Sequence, residues 1–269
     1  MAELAPGDAE LKVEDTINKD MKRYDSVNDN IQRRSQKLRS TKQRSSEIVS
    51  DMNDLLEWFD EEAKKISSAE PVSSDPVKLA KQVAEQKSMN DDINSQKAKA
   101  REFITKGKKL LRESSFEDDP QLRERVEQLK QKVDAVGKLG VDRLSHLEQT
   151  LPLAKAFYDT HQDLATWFAE VDPTLAALDV MSIDADHVKK QQDQVKVLKQ
   201  EVQDHKPVID RLNKTGNALV KLCGEQDCLK VQKILDKDNK KLENMRNSLR
   251  DRSMSIDEAL QQSAEFTDK

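Results

Sequence analysis

One offset, 109 residues, aligns nearly the whole chain with itself without a gap. Trp58 and Trp167, the two tryptophans, stand 109 apart, and their neighbours repeat with them: Leu55 with Leu164, Phe59 with Phe168, Ile66 with Leu175. The match continues through Gln82 and Gln191, Met89 and Leu198, Ile93 and Val202, Lys97 and Lys206, Phe103 and Leu212, Gly107 and Gly216, and Leu110 and Leu219. A further block occurs three times. Its apolar positions Val13, Ile17, Tyr24, Val27, Ile31 and Leu38 recur as Leu122, Val126, Val133, Val136, Gly140 and Leu147, then as Val231, Leu235, Leu242, Met245, Leu249 and Ile256. Their steps of 4, 7, 3, 4 and 7 are those of a heptad seam with two positions missing. One missing position holds Arg34, Arg143 and Arg252; the other holds Asp20, Leu129 and Asp238.

Composition limits what such a unit can be. Charged residues make up 36% of the 269 and apolar ones 35%, with 4% aromatic; an average domain is about 25% charged. That is too thin an apolar fraction for one large globular core. Six Gly and seven Pro are too few for the turns of a β-sandwich or barrel. Disorder is excluded by the periodicity of the apolar residues. No run of 18 apolar residues exists, so no membrane span is expected. The start, Met1 to Asp8, is acidic and lacks the apolar stretch of a signal peptide. Two cysteines do not make a disulfide framework, which fits the cytosol. A net charge of −5 argues against a nucleic-acid partner.

An all-α fold of tandem three-helix bundles remains. A helix with a two-in-seven seam cannot bury it alone, whereas three such helices alternating in direction bury three seams by knobs-into-holes packing. Helix A carries the Trp and spans roughly 41–67. Asp75-Pro76 starts helix B, roughly 76–113, and Asp119-Pro120 starts helix C; each is an N-cap followed by Pro at the first helical position. Around Leu147–Leu151 no loop signal intervenes, so helix C and the next helix A read as one nearly continuous helix. The expected organisation is a lone helix C over 1–38, then units at 39–147 and 148–269, in a monomeric rod whose units touch their neighbours. Trp58 and Trp167, with Leu55, Leu164, Phe59 and Phe168, are the expected structural core, the tryptophans largely buried. Pro152 is expected to kink the junction between units, Pro173 to shorten the second helix A, and Pro207 to disturb the second helix B.

Candidate chemistry is sparse. Cys223 and Cys228, with four residues between them, lack the further ligands and the spacing of a zinc site. They read as one buried small residue and one accessible thiol; a disulfide between them can form on oxidation but is not expected in the cytosol. His146, His161, His187 and His205 form no paired motif. Gly107-Lys108-Lys109 and Gly137-Lys138-Leu139-Gly140 lie inside helical patterns and lack the strand-to-helix context of a phosphate loop. No catalytic set, metal site or cofactor is expected. Arg33, Arg34, Lys37, Arg39, Lys42 and Arg44 form a basic stretch that reads as a solvated helix face. A lipid or filament contact is its alternative. Ser67, Ser68, Ser73, Ser74, Ser114 and Ser115 lie in or beside loops, as exposed kinase sites would.

These features resemble the spectrin repeat, with three helices in about 110 residues and a Trp midway along helix A. Two stretches narrow the resemblance. Helix B reads His205-Lys206-Pro207-Val208-Ile209-Asp210-Arg211-Leu212, and late helix C reads Ile256-Asp257-Glu258-Ala259 followed by Gln262-Ser263-Ala264-Glu265-Phe266. Both are similar to repeats of the spectraplakins, the giant plakin-family linkers of actin and microtubules. The first unit departs from that pattern, with Lys97-Ala98 and Leu147-Glu148-Gln149 at the matching places. The resemblance implies a cytoplasmic, cytoskeletal parent that binds actin through calponin-homology domains at one end and microtubules at the other. In it, this segment would act as a structural spacer that sets distance and bears tension. A docking scaffold, with one face binding a specific protein, is the alternative. A parallel two-chain coiled coil is weaker, because loops break the heptads at bundle-sized intervals.

Overall fold

The computed structural model describes residues 6–113, 119–178 and 185–267. Among these are six helices: α1 (Pro6–Ser67), α2 (Pro76–Glu113), α3 (Pro120–Ala177), α4 (Ala185–Asp204), α5 (Lys206–Val220) and α6 (Glu225–Thr267). The described residues contain no strand. The first C–A pair is a single helix, α1, of 62 residues, and the second is α3, of 58. Both N-cap signals operate. Asp75 Oδ1 accepts the Val77 and Lys78 N–H groups at 2.8 and 3.1 Å, and Asp119 Oδ1 accepts that of Leu122 at 3.1 Å.

Pro152 and Pro173 both lie inside α3. Neither can donate a main-chain hydrogen bond, so the carbonyls four residues back lose a donor. The helix nonetheless continues through both. The expected shortening at Pro173 does not occur: α3 runs on to Ala177, one residue past the counterpart of the α1 end at Ser67. Pro207 acts more strongly, dividing the second helix B into α4 and α5 at His205.

Contacts divide the chain into two compact units, Met1–Ser67 with Asp91–Lys138 and Ser68–Asn90 with Leu139–Lys269. In the first, Met52, Leu55, Phe59 and Ile66 of α1 are buried, as are Ile93, Ala100 and Leu110 of α2 and Leu122, Val126, Leu129, Val133 and Val136 of α3. The N-terminal half of α1 contrasts with this. Its seam, Val13, Ile17, Tyr24, Val27, Ile31 and Leu38, is 49–71% exposed, while the copies of that seam in α3 and α6 are buried.

In the second unit one apolar cluster runs from Val72, Leu79 and Val83 through Leu147, Phe157 and Leu164 of α3 to Val195, Leu212, Leu235 and Leu249 of α4–α6. Gly216 lets α5 approach its neighbours closely. A Cβ there would stand 2.8 Å from both Leu235 Cδ2 and Phe157 Cε2, and its repeat partner Gly107 meets the same restriction against Val126. One layer of this unit is polar. Buried Asp238 lies 2.6 Å from His161 Nδ1, and Asn213 and Asn239 exchange amide hydrogen bonds at 3.0 and 2.8 Å. At the equivalent positions the first unit has Met52, Ile104, Leu129 and Lys130. A buried polar layer of this kind fixes helix register, because any slip leaves its groups without partners.

The tryptophans are not equivalent. Trp167 is 8% exposed and stacks on the His205 ring, with centroids 3.7 Å apart and planes 9° from parallel. Trp58 is only half-buried, with Phe59 edge-on at 5.0 Å. The position 109 residues before His205 is Gln96, so the first copy lacks an aromatic lid. Phe59, Leu55, Leu164 and Phe168 are buried. Truncating a buried Trp removes both transfer energy and packing, typically about 3–5 kcal/mol. Trp167→Ala should therefore destabilise its unit by that amount and Trp58→Ala by clearly less, as measured by urea denaturation. Equal losses would show that the His205 lid contributes nothing.

Candidate functional site: a loop-on-loop joint

The densest polar network in the second unit joins residues 70–75 to the turn between α5 and α6. It starts with local order in the first loop. The Gln82 side chain, buried on α2, accepts the Ser73 N–H at 3.0 Å and donates to the Pro71 carbonyl at 2.9 Å. This holds the backbone at 71–73 in a fixed shape. Arg143 donates to the Glu70 carbonyl at 2.8 Å, and Lys78 pairs with the Glu70 carboxylate at 2.9 Å.

The second loop docks on this shape. Gly224 donates its N–H to the Val72 carbonyl at 2.8 Å. A Cβ at Gly224 would lie 2.5 Å from Pro71 Cβ, a rigid ring atom, so the contact needs glycine. Asp227, in the first turn of α6, supplies the main bond. Its Oδ2 accepts the Ser73 hydroxyl at 2.9 Å and the Ser74 N–H at 2.8 Å. Its Oδ1 accepts Lys230 Nζ at 2.6 Å. Burial pushes the Asp227 carboxyl up, but the bonds from Lys230, the Ser74 amide and the Ser73 hydroxyl outweigh it and hold the group below the ordinary aspartate value. The Ser74 hydroxyl is 3.5 Å from the Tyr158 hydroxyl of α3.

This geometry corrects one expectation. Ser73 and Ser74 are buried, at 3% and 1%, and are not exposed kinase sites. Ser114 and Ser115, like Ser263 and Phe266 of the late helix C motif, lie outside the described residues or carry side chains that do. The basic residues Arg33, Arg34, Lys37, Arg39, Lys42 and Arg44 lie exposed along α1. Cys223 and Cys228 are both half-buried, rather than one buried and one accessible, and both are in the thiol form. Pro152 lies on α3, six residues before Tyr158. Among the described residues no three His, Cys, Asp or Glu side chains gather to hold a metal, and no helix is long and apolar enough to cross a membrane.

His205 shows what the His-Lys-Pro stretch does locally. Pro207 has no N–H to offer the Gln203 carbonyl, and the helix breaks at His205. The His205 carbonyl then accepts both Val208 and Ile209 N–H groups at 3.1 Å. Its Nδ1 donates to the Glu201 carbonyl at 2.8 Å, an atom that can only accept. The break and this bond together fix the ring on Trp167.

The arrangement can fix one loop against the other. A family model described as Spectrin repeat matches residues 43–149 and 153–264. The chain is also similar to microtubule-actin cross-linking factor 1. Against isoforms 6/7 from Mus musculus it is 26% identical over 273 residues, covering all of this chain and 8% of that protein. Against isoforms 1/2/3/4/5 from Homo sapiens it is 26% identical over 272 residues, covering 4%, and against the Rattus norvegicus protein 27% over 276 residues, covering 5%. The chain thus spans less than a tenth of these relatives. Pro71–Ser74 falls in the first matched segment and Gly224–Asp227 in the second, so the joint ties consecutive segments together within one unit.

Asp227→Ala leaves a buried hydroxyl and a buried N–H without their acceptor, a loss of about 1–3 kcal/mol. The lowered Asp227 value makes its stabilisation complete above the ordinary 3.8 and lost as pH falls through the lower value of the folded state. Denaturant titrations of the wild type and Asp227→Asn should therefore differ near neutral pH and converge in acid. Curves that stay parallel would exclude this carboxylate as the group that holds the joint.

Proposed function

Because the chain belongs to the spectrin-repeat family, we propose that it is a spacer segment of a large cytoskeletal linker, one that holds actin-binding and microtubule-binding domains of its parent apart and bears tension between them. The observation that carries this reading is the joint. A spacer must hold consecutive repeat segments together, and within the second unit Gly224 and Asp227 clamp the loop at Pro71–Ser74 by backbone and charge-assisted hydrogen bonds. Similarity along the full chain to proteins named as microtubule-actin cross-linkers supports the setting. Actin and microtubules are reached through other domains of the parent, and this segment touches neighbouring repeats. It is a cytoplasmic, cytoskeleton-associated monomer with no cofactor and no catalytic residue. Residues 39–147 and 148–269 are its two repeats. Residues 1–38 are the helix C of a further one, whose seam is that of a bundle helix.

The exposed seam of α1 also favours a second reading, a scaffold on which a specific protein docks. One experiment separates the two. Residues 39–266 of the parent are replaced by two unrelated spectrin repeats of equal length. A spacer predicts that actin–microtubule linkage in cells is kept, since length and stiffness carry the function. Loss of a single binding partner from a stably folded swap would overturn the spacer reading in favour of the scaffold.

A further inference from the structure

The turn that makes the joint also holds both cysteines of the chain. Cys223 lies just after α5 and Cys228 in the first turn of α6, and their Sγ atoms are 3.4 Å apart. Cys228 donates to the Val220 carbonyl at 2.9 Å and lies 3.3 Å from the Cys223 carbonyl. Cys223 packs against the apolar cluster of its unit. Between the two sulfurs in sequence come Gly224, bonded to Val72, and Asp227, bonded to Ser73 and Ser74. A helix brings residues three or four apart onto one face, so a pair five apart meets only because the chain turns between α5 and α6. Two thiols in contact inside a hydrogen-bonded turn form a dithiol that needs little backbone movement to bridge.

We propose that Cys223 and Cys228 are a modification site for small disulfides of the glutathione class, which convert the pair to an internal disulfide that locks the α5–α6 turn in the joint. Burial, then the neighbouring Cys228 sulfur, pushes the Cys223 thiol up to about 12, so it stays protonated near neutral pH and the entering nucleophile is Cys228. The Cys228 thiolate attacks one sulfur of oxidised glutathione. A protein–glutathione mixed disulfide forms, and the departing glutathione thiolate takes up a proton. Cys223 then gives its proton to water and attacks Cys228 Sγ, expelling the second glutathione. Two protein thiols become one disulfide, and one oxidised glutathione becomes two reduced ones. The bridge replaces the S–H donor to Val220 with a covalent constraint on the turn. It also restricts the unfolded chain, so the oxidised unit is the more stable form.

The test uses the intact chain incubated with oxidised glutathione, after which free thiols are capped with N-ethylmaleimide and the mass is measured. The expected product has lost two hydrogens, carries no cap and regains two cappable thiols after dithiothreitol. Its thermal midpoint should rise by about 5 °C. Cys223→Ser should stop at one glutathione on Cys228. The proposal is overturned if glutathione stays attached to the wild type, if chains cross-link to one another, if both thiols survive, or if Cys223→Ser takes up no glutathione.

Discussion

A helix with apolar residues at two positions in seven has no interior of its own, and the rest of this structure follows from the need to cover those seams. In α3 and α6 the thrice-repeated seam is buried, and along the N-terminal half of α1 the same pattern lies open from Val13 to Leu38. Gly107 and Gly216 serve the same end, because a side chain at either would hold two seams apart. The seams fix which helices pack but not their axial position. In the second unit the Asp238–His161 and Asn213–Asn239 pairs supply that register. The first unit lacks such a layer, so the two bundles are held by different mixtures of packing and polar specificity.

Within the second unit, hydrogen bonds to fixed backbone add to the apolar cluster that already joins Val72, Leu79 and Val83 to α3 and α6. Gln82 shapes the loop at 71–73, glycine at 224 permits the approach, and Asp227 bonds across it. The spacer role proposed above rests on these polar loop contacts as much as on helix length.

Much of this was legible in the sequence for a physical reason: helix periodicity, N-caps and helix continuity are local properties. The offset between Trp58 and Trp167, the Asp75 and Asp119 caps and the unbroken run through Leu147–Leu151 each involve residues close along the chain. The joint was not legible. Ser73 and Asp227 are 154 residues apart, and no local pattern marks two loops as partners. Loop serines are exposed by default, so Ser73 and Ser74 read as exposed. The one available signal was Gly224 followed by Asp227 in the first turn of a helix, which ordinary helix-end chemistry also explains. The repeat equates Trp58 with Trp167, yet their surroundings differ, because the first copy has Gln96 where the second has His205.

The central claim is that the loop contacts, added to the apolar cluster, hold residues 68–90 and 139–269 together as one unit. Stretching the chain by its two ends in an optical trap tests this most directly. The account predicts that these two segments release their length in a single event in the wild type, and that Asp227→Ala divides that event into two smaller ones. Separate release already in the wild type, or the same event sizes in both proteins, would contradict it.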